Sequence, residues 1–98
     1  MLIAVDWDDT LVDAKTQEWL PGAREALKAL RRRGHKLLIL SARASWDGGR
    51  DQIAAKLASV GIRDVAIHAK PTADLFIDDR AIEFHGDWSQ VLRRIRTQ

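Results

Sequence analysis

The chain has 98 residues, 46% of them hydrophobic and 31% charged, with 16 Lys and Arg against 14 Asp and Glu and no cysteine. That length supports one hydrophobic core, so a single domain over residues 1–98 is expected. The composition excludes disordered and fibrous classes, and a net charge of +2 is too small to argue for a polyanionic partner. Disulfides, thiolate metal sites and cysteine nucleophiles are excluded, and a reducing, cytoplasmic setting is expected. The N-terminal apolar run is shorter than a secretory or membrane segment needs, so neither export nor membrane insertion is expected.

Residues 2–6, LIAVD, form a branched apolar run ending in an acid, the pattern of a strand buried on both faces. The stretch from Leu20 to Gly34 opens near Pro21 and places Ala23, Ala26, Leu27 and Leu30 on one face. Arg31 to Arg33 favour the macrodipole at its end, so a helix is expected there and the arginine run is read as structural. Residues 36–41, KLLILS, predict a second strand, and Asp51 to Val60 a second helix with Ile53, Ala54, Leu57, Ala58 and Val60 inward. Asp64 to His68 predict a third strand, and residues 74–78, DLFID, repeat the strand-then-acid pattern of the first. AIEF is a candidate minor edge strand, and Asp87 is placed to cap a last helix carrying Trp88, Val91, Leu92 and Ile95. Strands alternating with helices predict a three-layer, Rossmann-like α/β domain whose parallel sheet has four to five strands. Ligands in such sheets sit outside the carboxyl ends of the strands, where both acid clusters fall.

Asp6, Asp8, Asp78 and Asp79 repel one another at strand ends and call for a counter-ion. A divalent cation held by oxygens, Mg²⁺ in particular, answers that need, and no histidine cluster competes for a softer metal. His35, His68 and His85 are dispersed and read as incidental.

IAVDWDDTLV resembles the first motif of the haloacid dehalogenase superfamily, an apolar strand followed by Asp-x-Asp-x-Thr or Val. Three further pieces match in the family's order: LLILSAR ends a strand in Ser41, Lys70 precedes Pro71, and DLFIDD ends a strand in two acids. The resemblance covers residues 2 to about 79, and KPTADLFIDDRAIEFHGDW looks closest to the shortest, capless members. It implies a Mg²⁺-dependent phosphatase in which Asp6 attacks phosphorus and Asp8 moves the proton. Ser41 would hydrogen-bond a phosphoryl oxygen, and Lys70 would neutralise charge. It implies metal ligation by Asp6, Asp8 through its carbonyl, and Asp78, with Asp79 outside the coordination shell. Glycine is common in the family where this chain has Asp9.

Each gap between motifs holds too little chain for a cap domain, and only Val12 to Leu20 has room to form a small flap. An open site favours a large or polymeric phosphorylated substrate, with nucleic acid only as substrate, or closure by a second subunit. Arg43 and Arg80 read as solvated. Trp7 and Trp88 are expected to pack; Trp19 and Trp46 follow strand ends, where an exposed indole can stack on a base or sugar, but packing is the favoured reading for them as well. Two other classes compete: a catalytically idle binding module of the same fold, and a receiver-type phosphoacceptor. The receiver needs an aspartate ending its third strand, where DVAIH ends in histidine.

Overall fold

A computed structural model describes residues 1–96. β1 (Leu2–Asp6), α1 (Ala23–Arg32), β2 (Lys36–Leu40), α2 (Gly49–Ser59), β3 (Ala66–His68) and α3 (Trp88–Arg96) follow in chain order, with a 3₁₀ turn at Ala42–Ser45 between β2 and α2. The three strands form one parallel sheet in the order β1-β2-β3, and the register sets Asp6 opposite Leu40 and Leu40 opposite His68. All three strands therefore end at one level.

α1 buries Ala23, Ala26, Leu27 and Leu30, the stripe that its spacing predicts. It stops at Gly34, whose φ of 89° suits a residue without a Cβ, while His35 donates its amide back to the Leu30 carbonyl. α2 starts two residues earlier than expected and buries only Gly49, Ile53 and Leu57. Gly49 is set by close approach: a Cβ there would lie 1.8 Å from the Arg43 carbonyl oxygen. α3 starts at the Asp87 cap, whose carboxylate accepts from the Ser89 amide and hydroxyl and the Gln90 amide.

Two expectations change. The strands bury one face, not both: Val5, Leu37, Ile39 and Ile67 are buried, whereas Leu2, Ala4, Ala66 and His68 are exposed. The sheet is thus not closed into three layers among the described residues. Residues 74–78 and 81–84 form no strand, and Leu75, Phe76 and Ile77 are 76%, 51% and 95% exposed. Pro71 contributes no amide donor, so the ladder that reaches Lys70 cannot simply continue through it. Ile82 and Phe84 still turn toward the core, Phe84 with its ring 5.1 Å from that of Trp88. Among the described residues no helix is long and apolar enough to cross a membrane.

Candidate active site at the strand ends

The loop after β1 is wound tightly and anchored by apolar side chains. The Trp7 carbonyl accepts from the amides of Leu11 and Val12 at 2.9 and 3.1 Å, and Trp7, Leu11 and Val12 are fully buried. Each such burial is worth roughly 1.5–3 kcal/mol, enough to hold a turn that leaves Asp6, Asp8 and Thr10 at the surface. From the far side of the core, Trp88 of α3 donates its indole N–H to the Thr10 carbonyl at 2.8 Å.

Asp9 occupies the left-handed region, with φ of 58°, and its Oδ1 accepts from the Ala14 amide at 2.9 Å. Glycine enters this region freely, and aspartate is among the few other residues that do so at modest cost. An acid can therefore stand in a position where glycine would serve, and its carboxylate braces the following turn.

The ladder brings the other residues beside Asp6. Beyond the named strands the Ser41 amide donates to the His68 carbonyl at 3.0 Å, and the Lys70 amide donates to the Ser41 carbonyl at 3.1 Å. Lys70 Nζ then lies 3.4 Å from Asp6 Oδ1, while the Thr10 hydroxyl donates to Asp6 Oδ2 at 3.1 Å. Ser41 is buried, and its Oγ accepts from the Arg43 amide at 3.1 Å.

Asp8 is held more firmly than expected. Arg43 Nε donates to both its oxygens at 2.8 and 2.9 Å, and Gln17 Nε2 donates to Oδ1 at 2.8 Å. Arg43 also donates to the Ala14 carbonyl at 2.8 Å, and Gln17 accepts from the Trp7 indole at 3.0 Å. The two side chains clasp the 12–20 segment against the site. Within that segment Trp19 meets Trp7 edge-on, with ring centroids 5.6 Å apart, so Trp19 packs and Trp46, 55% exposed, does not.

Arg43 and Arg80 thus part company. The Arg43–Asp8 side chains are 18% and 29% exposed, whereas Arg80 and Asp79 are 92% and 91% exposed with their charges 3.9 Å apart. The first pair belongs to the site; the second is a solvated contact of little consequence. Arg43 carried a signal, being two residues past the strand that ends in Ser41. Gln17 carried none, since its role depends on how the loop folds back.

Asp6, Asp8, Ser41 and Lys70 therefore converge, and Asp78 does not join them. Asp78 is exposed and accepts from the Arg80 amide at 2.8 Å. Among the described residues no three acids or imidazoles come together as a metal site. The fold as described brings the Asp6 carboxylate and the Asp8 residue to one place but not the third acid, so the expected Mg²⁺ set is incomplete. From the 74–78 segment, the Phe76 ring lies with its centroid 4.6 Å from Lys70 Nζ. Two surface cavities lie away from these residues, one of them between α2 and β3 beside Leu57, Ile62 and Ile67.

No protein-family model and no curated protein matches the sequence. A solved structure of a conserved protein from Bacteroides thetaiotaomicron does, with a TM-score of 0.73 and 30% identity over 99% of this chain and 90% of that one. At that identity over almost the full length of both, this chain belongs to the same family as the Bacteroides protein.

Proposed function

We propose that the chain is a phosphatase of the haloacid dehalogenase type that hydrolyses phosphomonoesters through an aspartyl phosphate on Asp6. The observation that carries this reading is the Asp6 carboxylate at a strand end, held between Lys70 and Thr10 with Asp8 two residues on and Ser41 just past the end of the next strand. Phosphoryl transfer asks chiefly for positioning and for cations near the phosphate, and a carboxylate fixed at both oxygens meets the first need.

In the first step an Asp6 oxygen forms a bond to phosphorus as the bond to the leaving oxygen breaks, and Asp8 gives that oxygen its proton. In the second, water attacks phosphorus, Asp8 takes the water's proton, and the bond to Asp6 breaks. Asp8 must first let go of Arg43, because both its oxygens are engaged as acceptors. A phosphate drawing the guanidinium toward itself would free it.

The finer fold belongs to the same proposal. Among the described residues β1 pairs only with β2, so its other edge is open, and 74–78 is an apolar run with no strand partner. Laid along that edge as a fourth strand, it would cover part of the bare sheet and carry Asp78 toward Asp6. Mg²⁺ enters the proposal there, with Asp6, the Asp8 carbonyl and Asp78 as ligands; no step above depends on it. A cytoplasmic location is proposed from the absence of cysteine.

The competing reading, an idle binding module, draws on the engaged Asp8. One experiment separates them: release of phosphate by the pure protein, with Mg²⁺ and with a chelator, from sugar, nucleotide, lipid and polynucleotide phosphates. Turnover of any of these that needs Mg²⁺ supports the phosphatase; no turnover on the whole panel leaves the binding module.

A further inference from the structure

We infer that the substrate's leaving group carries a flat aromatic ring, and that Trp46 is the residue that selects it by stacking. The inference rests on the phosphatase reading, because that reading says on which side the leaving group lies. The group that protonates the leaving oxygen is Asp8, so the remainder of the substrate extends past Asp8 and away from Asp6.

On that side the structure presents Arg43 and then Trp46. The Arg43 Cζ lies 4.8 Å from the centroid of the Trp46 ring while its Nε holds Asp8. Trp46 is 55% exposed, an uncommon degree for an indole in a chain whose other three tryptophans are buried or half-buried. Its backbone is fixed at both ends: its amide donates to the Arg43 carbonyl at 2.9 Å, and its carbonyl accepts from the Gly49 amide at 3.0 Å. The ring is therefore a platform set on a rigid turn rather than a side chain adrift on a loop.

Charge does not explain the feature. Arg43 is held by Asp8 and by the Ala14 carbonyl and turns to the phosphate during turnover, so the surface left to meet a leaving group here is the indole. A flat ring stacked on an exposed indole gains by apolar contact with little demand on sequence or hydrogen-bond pattern, and a cation beneath the indole makes the assembly stiffer. A nucleobase and a simple aryl group both have that chemistry.

The test compares matched esters whose leaving oxygens are alike. A nucleoside 5′-monophosphate is set against ribose 5-phosphate, and benzyl phosphate against cyclohexylmethyl phosphate, for the native chain, Trp46→Ala and Trp46→Phe. The native chain should favour the aromatic member of a pair by about tenfold in kcat/KM, within the range that base–aromatic stacking supplies. Trp46→Ala should bring that ratio close to one, and Trp46→Phe should keep most of it. Selectivity in the nucleotide pair alone names a nucleobase; selectivity in both pairs names any flat ring. Turnover with no aromatic preference, or a preference that survives Trp46→Ala, overturns the inference and leaves the phosphatase standing. Turnover of none of the four esters by the native chain overturns the inference, and the wider panel of sugar, lipid and polynucleotide phosphates then decides whether the phosphatase reading stands.

Discussion

Two segments of this chain carry the same local pattern, a short apolar run ending in aspartate, and they adopt different structures. LIAVD becomes β1, and its following loop is locked down by Trp7, Leu11 and Val12 beneath it and by the Trp88 hydrogen bond from α3. DLFID lies outside the sheet with its apolar side chains in solvent. The difference is one of partners rather than of propensity: β1 has a neighbouring strand whose register continues through Ser41 and Lys70, whereas the second run begins just past a proline and has none. A strand-like sequence is a capacity to pair, realised only where backbone donors and acceptors are offered.

The comparison can be broken most sharply at its two acids. Asp6→Asn should lower phosphate release by about 10³-fold or more, because a carboxamide is no substitute for the nucleophile, while thermal melting stays near that of the native chain. Asp78→Asn should cost about 10- to 100-fold and raise the Mg²⁺ concentration needed for half activity, if 74–78 joins β1 during turnover. An Asp78→Asn protein as active as the native chain would show that the second run stays outside the site.

The next effect falls on the clasp that the first segment enjoys and the second lacks. Gly49→Ala puts a methyl where the Arg43 carbonyl stands, so the 3₁₀ turn must shift. A destabilisation of about 1–3 kcal/mol is expected by denaturant titration, together with a raised KM as Arg43 is moved out of reach of the phosphate. Within the loop, Asp9→Val should cost about 1–2 kcal/mol from its left-handed backbone, whereas Asp9→Gly should retain activity, losing only the brace to Ala14.

The smallest effect comes from the helix that pins the loop. The Ser89 side chain and the Gln90 amide hold the Asp87 carboxyl below its usual range, and the Thr16 and Lys15 amides do the same for Asp13. A depressed folded pKa means that the stabilisation is fully present above the unfolded value near 4 and is lost as pH falls through the folded one. Asp87→Ala should therefore lower Tm by a few degrees at pH 7, and the gap from the native chain should narrow by pH 3. A gap that stays constant with pH would show that the ionised carboxylate is not what caps α3.

Much of the site was legible because it depends on local rules. Asp6 ends and Ser41 directly follows strands that a branched apolar run announces, and parallel pairing sets Asp6 opposite Leu40, the residue before Ser41. Lys70 follows from the same ladder. What was not legible depends on contacts across the fold: Gln17 reaches Asp8 only because the 12–20 segment turns back on itself, and Arg43 is drawn out of solvent by Asp8 from the loop after β1. The placement of 74–78 failed for the same reason in reverse, since periodicity records what a strand would bury and not whether a neighbour is there to receive it.

The central claim is that Asp6 takes the phosphoryl group. A structure of the protein with Mg²⁺ and beryllium fluoride tests it most directly, because the trifluoride adduct mimics an acyl phosphate. The account predicts the adduct on an Asp6 oxygen, with Lys70 and Ser41 around it and residues 74–78 laid along β1; an adduct on any other residue, or a fully loaded crystal with Asp6 unmodified, would contradict it.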